Sequence, residues 1–146
     1  MSAQTGDFGR LVCLLPVRNG STDLPEWLAS VRLFCDDVVA LDDGSTDDTA
    51  TLLKTDPLVR VVLSNPPRPT TAGWHDGQNR NRLLAAAADL DPHWVLFLDV
   101  DERLDGADAQ ALRVFVDCDA IPGFAYGLQH FRMWFGRNGD HLYDPE

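Results

Sequence analysis

Val38-Val39-Ala40-Leu41-Asp42-Asp43-Gly44-Ser45 is an apolar run of strand length that ends abruptly in two aspartates and a glycine. Such a run bounded by turn residues predicts a strand buried on both faces, as in the middle of a parallel sheet. Ser45 and Asp48 can cap a helix that passes through Leu52 and Leu53 and stops at Pro57. The same order recurs on both sides. Upstream, Leu11–Leu15 is an apolar run stopped by Pro16, after which Asp23 and Glu26 read as a capping box. Pro25 falls in the first turn, and Leu24, Trp27, Leu28, Val31 and Phe34 follow at helical spacing. Downstream, Val59–Leu63 is a third buried strand, Gln78 to Asp89 a helix, and Trp94–Leu98 a fourth buried strand ending at Asp99-Val100-Asp101-Glu102. Ala109, Leu112, Val114, Phe115 and Val116 suggest one more helix.

Strands separated by helices or long crossovers must pair in parallel with right-handed connections. The fold class is therefore α/β: an open, mostly parallel sheet with helices on both faces. Residues 64–77 hold Pro66, Pro67, Pro69, Gly73 and Gly77, so they form a loop, and one this long is functional or mobile. From Phe124 to Phe135 the apolar residues partly alternate, and Phe131, Met133, Trp134 and Phe135 predict an aromatic ribbon. Residues 1–9 are expected to be a disordered tail and 10–146 a single domain.

With 12 Lys+Arg against 23 Asp+Glu the chain of 146 residues carries a net charge of −11. It has no basic stripe, which argues against a nucleic-acid partner, and none is expected. No apolar run is long enough for a signal peptide or a membrane span. Cys13, Cys35 and Cys118 are odd in number and lack a CxxC pair, which points to a reducing cytoplasm rather than a disulfide framework or zinc knuckle. His75, His93, His130 and His141 have no metal-ligand spacing, and no GxxxxGK[ST] or GxGxxG is present. A calcium loop at Asp43-Ser45-Asp47 fails because its glycine falls second rather than sixth.

In open parallel sheets ligands bind beyond the carboxyl ends of the strands. Three polar clusters fall there: Pro16-Val17-Arg18-Asn19, Asp42-Asp43-Gly44-Ser45 and Asp99-Val100-Asp101. If the strand order is 3-2-1-4, the last lies beside the crevice between strands one and four. Asp99 and Asp101, two apart in extended backbone, project to one side and can approach one hard cation such as Mg2+ or Mn2+. Such an ion neutralises a diphosphate, which lets an acidic protein hold an anionic ligand.

Leu14–Asn19, Val38–Asp47, the Arg80-Asn81 pair and Leu96–Glu102 together resemble, in order and spacing, the signatures of family 2 glycosyltransferases of the GT-A fold. The match covers roughly residues 10 to 105. The resemblance implies transfer of a sugar from a nucleotide-diphosphate sugar to an acceptor, with inversion, assisted by Mg2+ or Mn2+. It implies that Asp42 reads the nucleobase, with Asp43 beside it, and that Pro16, Val17 and Arg18 line the nucleoside pocket. Arg80 would face the donor, Asp101 would be the main metal ligand, and Asp99 would contact the donor and share the metal. Residues 10–105 then form the donor-binding part and 106–146 the start of the acceptor side. The family's catalytic base is not identified: Asp140, Asp144 and Glu146 are the late carboxylates, and none has the expected motif around it. The chain is accordingly expected to stop short of the acceptor-binding half, and the acceptor, whether glycan, lipid or protein, is unassigned. Glu102 matches a subgroup with Asp-x-Asp-Glu.

A nucleotidyltransferase, which shares the fold idea and a metal aspartate, stays open, as does a fragment that does not fold alone, and two other readings compete. One is a domain that binds a nucleotide sugar without transferring it. The other is a haloacid-dehalogenase-like phosphatase, whose apolar strand also ends in Asp-x-Asp, with the first aspartate as nucleophile. That class needs the motif near the amino end and a later lysine, whereas the one lysine here, Lys54, is upstream. Asp47, Asp48 and Asp105 read as helix caps, Asn19 as a loop-shaping residue and Cys13 as a small core residue.

Overall fold

The structure, a computed structural model, describes residues 9–129 and the backbone of 132–135 and 141–144. In chain order the elements are β1 (Leu11–Val17), α1 (Leu24–Val31), β2 (Asp37–Asp42), α2 (Thr49–Thr55), β3 (Val59–Ser64), α3 (Asp76–Ala88), β4 (Trp94–Phe97), α4 (Gly106–Cys118), β5 (Arg132–Phe135) and β6 (His141–Asp144). β1 to β4 form a parallel sheet in the order β3-β2-β1-β4. β5 and β6 pair antiparallel, with Met133 opposite Tyr143. Of the expected aromatic ribbon, residues 132–135 are a strand. Residues 124–129 are irregular, and Phe131 and the late carboxylate side chains lie outside the described residues.

Alternation along β1 and β2 sorts the core onto two faces. Cys13, Leu15, Val38 and Ala40 meet Trp27 and Val31 of α1, Leu53 of α2 and Ala109 of α4. Val12, Leu14, Val39 and Leu41 meet Leu83 and Ala87 of α3. Helices therefore cover both faces, and β1 and β2 are buried along their whole length. β3 and β4 differ from the expected fully buried strands. They hold the outer positions of the described sheet and are half-buried, with Val95 38% exposed. Among the described residues no helix is long and apolar enough to cross a membrane. Of the expected amino-terminal tail only Gly9 is described, and its carbonyl accepts a hydrogen bond from Arg113.

Pro16 does not stop β1 as expected; it lies within the strand, opposite Leu41. The Val17 carbonyl accepts from Asp43 N on the β2 side and the Leu14 carbonyl from Leu98 N on the β4 side. By alternation the Pro16 nitrogen faces β4, whose pairing with β1 has already ended at Leu14 opposite Phe97. The missing N–H therefore costs no ladder bond.

Two of the expected caps are also corrected. Asp23 is already helical, at φ −89° and ψ −26°, and its side chain makes no capping bond. The chain enters α1 through a turn in which Gly20 O accepts from Asp23 N and Leu24 N, while the Asp23 carboxylate pairs with Arg103. Asp48 makes no capping bond either, because the neighbouring Asp47 accepts from both Thr49 N and Thr49 Oγ1. Asp105 caps α4 as expected, accepting from Asp108 N at 2.8 Å. Asp105→Ala should lower the unfolding free energy by about 1 kcal/mol in urea titration, the usual worth of such a cap.

Candidate functional site

The carboxyl ends of three strands form one rim: Val17 lies opposite Asp42, and Asp42 opposite Ser64. Pro16 and Val17 are buried in this edge. The loops after β1 and β2 are stitched together above it. Asn19, at φ +50°, donates its N–H to Ser45 Oγ and accepts from Thr46 N with Oδ1; Gly20 N donates to Thr49 Oγ1 and Ser21 N to Asp47 Oδ2. Burial pushes the Asp47 carboxyl up, but the hydrogen bonds from Thr49 and Ser21 outweigh it and hold the pKa at about 2. Asp42, 5% exposed, accepts from Ser45 N at 3.0 Å through Oδ1; Oδ2 has no hydrogen-bond partner among the described residues.

Asp43 points the other way along the alternating backbone and is 1% exposed. Asn65 donates to one of its oxygens and Arg68 forms an ion pair with the other. Asn65 also donates to Asn79 Oδ1 and accepts from Arg82, so a polar network ties the loop after β3 to α3. Arg18 reaches the same loop, donating from Nη2 to the Arg68 carbonyl at 2.8 Å. The hydrogen bond from Arg68 is the main reason that the Asp43 pKa falls from 3.8 to about 2, with Asn65 adding to it against burial. A lowered folded-state pKa gives stability that is complete above pH 4 and lost as pH falls through about 2. Asp43→Asn should remove about 2 kcal/mol of that pH-dependent stability. The comparison of wild type and variant in urea at pH 7 and pH 2 isolates Asp43 from Asp47, which titrates in the same window.

The third cluster follows β4. Asp99 N donates to Glu102 Oε2 at 2.8 Å and Glu102 N to Asp99 O at 3.0 Å, so Glu102 closes the turn that carries the aspartates. Arg80 of α3 lies over the Phe97 ring, 5.1 Å from its centroid, and is gripped by Asp76 through Nε at 3.0 and 3.1 Å. This aims Nη2 at Asp99 Oδ1, 3.3 Å away. Burial disfavours the charged guanidinium, but Asp76 and Asp99 outweigh it and raise the Arg80 pKa. Asp101 is exposed and has no hydrogen bond or ion pair among the described residues. Gly20 connects this turn to the β1 loop: a Cβ there would sit 2.6 Å from Val17 Cγ2 and 3.3 Å from Val100 Cγ2.

The described residues contain no group of three metal-ligating side chains. The donor set that is present, an unpartnered carboxylate at Asp101 and a half-exposed one at Asp99, fits a hard ion that completes its shell with water and substrate phosphate. The rim thus brings Pro16, Val17, Arg18, Asp42 and Asp43 together over β1 and β2, and Arg80, Asp99 and Asp101 together over β4. Sequence reasoning missed Asn65, Arg68, Asn79 and Arg82. Their only sequence signals are the length of the 64–77 loop and the one-face spacing of Asn79 and Arg82 on α3.

The parallel sheet in the order β3-β2-β1-β4 with helices on both faces is the GT-A fold, which the chain shares with solved glycosyltransferase structures. It is similar to a mannosyltransferase, PcManGT, from Pyrobaculum calidifontis, solved in complex with GDP-Man and Mn2+: TM-score 0.52, 21% identity, 75% of this chain and 33% of that one. It is similar to S. aureus TarS, residues 1–349, with TM-score 0.56 and 24% identity over 74% of this chain and 32% of that one. A mycobacterial protein of solved structure matches with TM-score 0.51 and 24% identity over 73% of this chain and 36% of that one. No protein-family model matches. The uncharacterized proteins Rv3786c of Mycobacterium tuberculosis and Mb3815c of Mycobacterium bovis are each 35% identical over 94 residues. That alignment takes in 63% of this chain, and the chain spans 23% of the length of those relatives.

Proposed function

We propose that the chain binds a nucleotide-diphosphate sugar and supplies the donor half of an inverting, metal-assisted glycosyl transfer. The observation that carries this reading is the placement of Arg80, Asp99 and Asp101 on the same rim as Asp42, at the crevice between β1 and β4. Asp42, with an unpartnered oxygen, accepts from the nucleobase, while Pro16 and Val17 floor the nucleoside pocket. Arg18 and Asp43 shape that pocket through the Arg68 loop. Asp101 and Asp99 hold Mg2+ or Mn2+, and Arg80 offers its guanidinium to the diphosphate, where a fork of donors suits phosphate oxygens. When bound, the ion neutralises the charge that develops on the departing nucleoside diphosphate.

The likeness in fold to a mannosyltransferase solved with GDP-Man and Mn2+ supports both the ligand class and the metal. In this reading residues 10–105 bind the donor and 106–146 begin the acceptor side, where a glycan, lipid or protein hydroxyl is the nucleophile. The three free cysteines suit a reducing cytoplasm. Thermal unfolding with nucleoside diphosphates and their sugars, with and without Mn2+, tests the proposal. At a hundred times the dissociation constant a ligand should add about 2.7 kcal/mol. A transition that no nucleotide moves, with or without metal, would sink the donor-site reading.

A further inference from the structure

Asp101 has no partner of its own among the described residues, so its carboxylate stands wherever the backbone of the turn after β4 puts it. Glu102 closes that turn from within, while the bond from Leu98 N to Leu14 O and the Arg80–Asp99 pair fasten it to β1 and α3. On its downstream side the turn is fastened to α1. Arg103 Nη2 donates to Asp23 Oδ1 at 3.1 Å and Nη1 lies 2.9 Å from Glu26 Oε2, so one guanidinium bridges two carboxylates at the start of that helix. Behind it, Ser30 Oγ donates to Leu104 O at 2.9 Å and accepts from Leu104 N at 3.2 Å. Asp23 in turn closes the β1 loop through its N–H on Gly20 O, and Gly20 lies close against Val100, between the two aspartates. The β1 loop, the start of α1 and the turn that carries Asp101 are thus braced as one unit.

The brace adds little to folding stability. Glu26 is 76% exposed and Arg103 35%, and in exposed ion pairs the Coulomb gain is screened by water and offset by the entropy of ordering two long side chains. Position is a separate matter, because a site with few protein ligands fails when one of them is held about an ångström too loosely. We propose that Arg103 is a positioning residue for the metal site, holding Asp101 at a fixed distance from the β1 loop through Asp23 and Glu26. The inference rests on the donor-site reading above and adds to it the α1 anchor of the metal turn. A plain charge effect has the opposite sign: Arg103 is a cation beside a cation site, so its removal would tighten the binding of the ion, whereas loss of position weakens it.

The test titrates Mn2+ into the 146-residue chain with GDP, UDP or ADP present and reads the free ion by electron paramagnetic resonance against a protein-free blank. Arg103→Gln should raise the Kd for protein-bound Mn2+ about tenfold, the lower end of what loss of a metal ligand's support costs. Asp23→Asn combined with Glu26→Gln should give the same loss, and the triple variant no more than about twofold beyond it, the non-additivity of one shared interaction. Nucleotide affinity without metal should not change, and the unliganded thermal midpoint, which confirms folding, should move by no more than about 4 °C. Unchanged or tighter Mn2+ binding in Arg103→Gln, losses that simply add, or a parallel fall in metal-free nucleotide affinity overturns the positioning role and leaves the donor site standing. No protein-dependent binding of Mn2+ by the wild type with any of the three nucleotides removes the metal site, and this inference with it.

Discussion

Asp101→Asn should leave the unliganded chain as stable as the wild type and abolish the Mn2+-dependent part of its stabilisation by a nucleoside diphosphate. The first half follows from the structure of the turn. Asp101 is exposed and has no partner among the described residues, and Glu102, not Asp101, closes the turn. Surface substitutions of that kind stay within about 0.5 kcal/mol. The second half follows from the chemistry of a hard ion, which needs at least one anionic oxygen from the protein to hold it against its own hydration. Asparagine keeps the shape and removes the charge, so up to about 2.7 kcal/mol of ligand-linked stability should vanish at saturating nucleotide. Asp99→Asn makes a useful contrast: Asp99 already pairs with Arg80, so in the proposed donor site its loss would free a cation for the diphosphate while removing one of the two proposed metal ligands, and the deficit should be smaller. A metal-dependent shift that persists in Asp101→Asn would place the ion elsewhere.

The largest purely structural effect is expected at Gly44, where alanine should cost about 3 kcal/mol of unfolding free energy, with about a 10 °C drop in thermal midpoint. Two independent causes add. Gly44 sits at φ +74°, a left-handed conformation that costs a residue with a Cβ roughly 1–2 kcal/mol. A Cβ there also runs into the Pro66 carbonyl oxygen, which is backbone and yields only if the whole loop shifts. The displaced segment, Pro66 to Arg68, is the one that carries the partner of Asp43. Gly44→Ala should therefore weaken nucleotide binding as well as stability, whereas a substitution at Gly73, where a Cβ meets nothing, should be strained only by its own φ of +85°. Calorimetric melting with and without GDP separates the two effects.

The parallel sheet was legible because β1 and β2 are buried on both faces and their sequences are unbroken apolar runs; no other element accounts for such runs at that length. The same reading overstated β3 and β4, since an apolar run does not reveal whether a strand lies in the middle or at the edge. Caps were less legible. Asp23, Asp47 and Asp48 are chemically equal candidates, and which of them bonds an N–H depends on the direction from which the chain enters each helix. In the site, the aspartates could be placed because they directly follow strands, so topology alone sets them on one rim. Arg68 and Arg82 could not. Their position depends on how the 11 residues between β3 and α3 fold back over β2, and that path is decided by long-range bonds such as Arg68 to Asp43, 25 positions apart in the chain.

The absence of one hydrogen on Pro16 shapes the mouth of the site. Where the next rung between β1 and β4 would form, Pro16 is a tertiary amide with no N–H to donate, and β4 turns away there into Asp99-Val100-Asp101. The opening is therefore a sheet left unzipped at one end rather than a hole carved out of packed side chains. Its width is pinned from below by the last rung at Leu14 and Phe97. A ligand that enters it has no strand pairing to break.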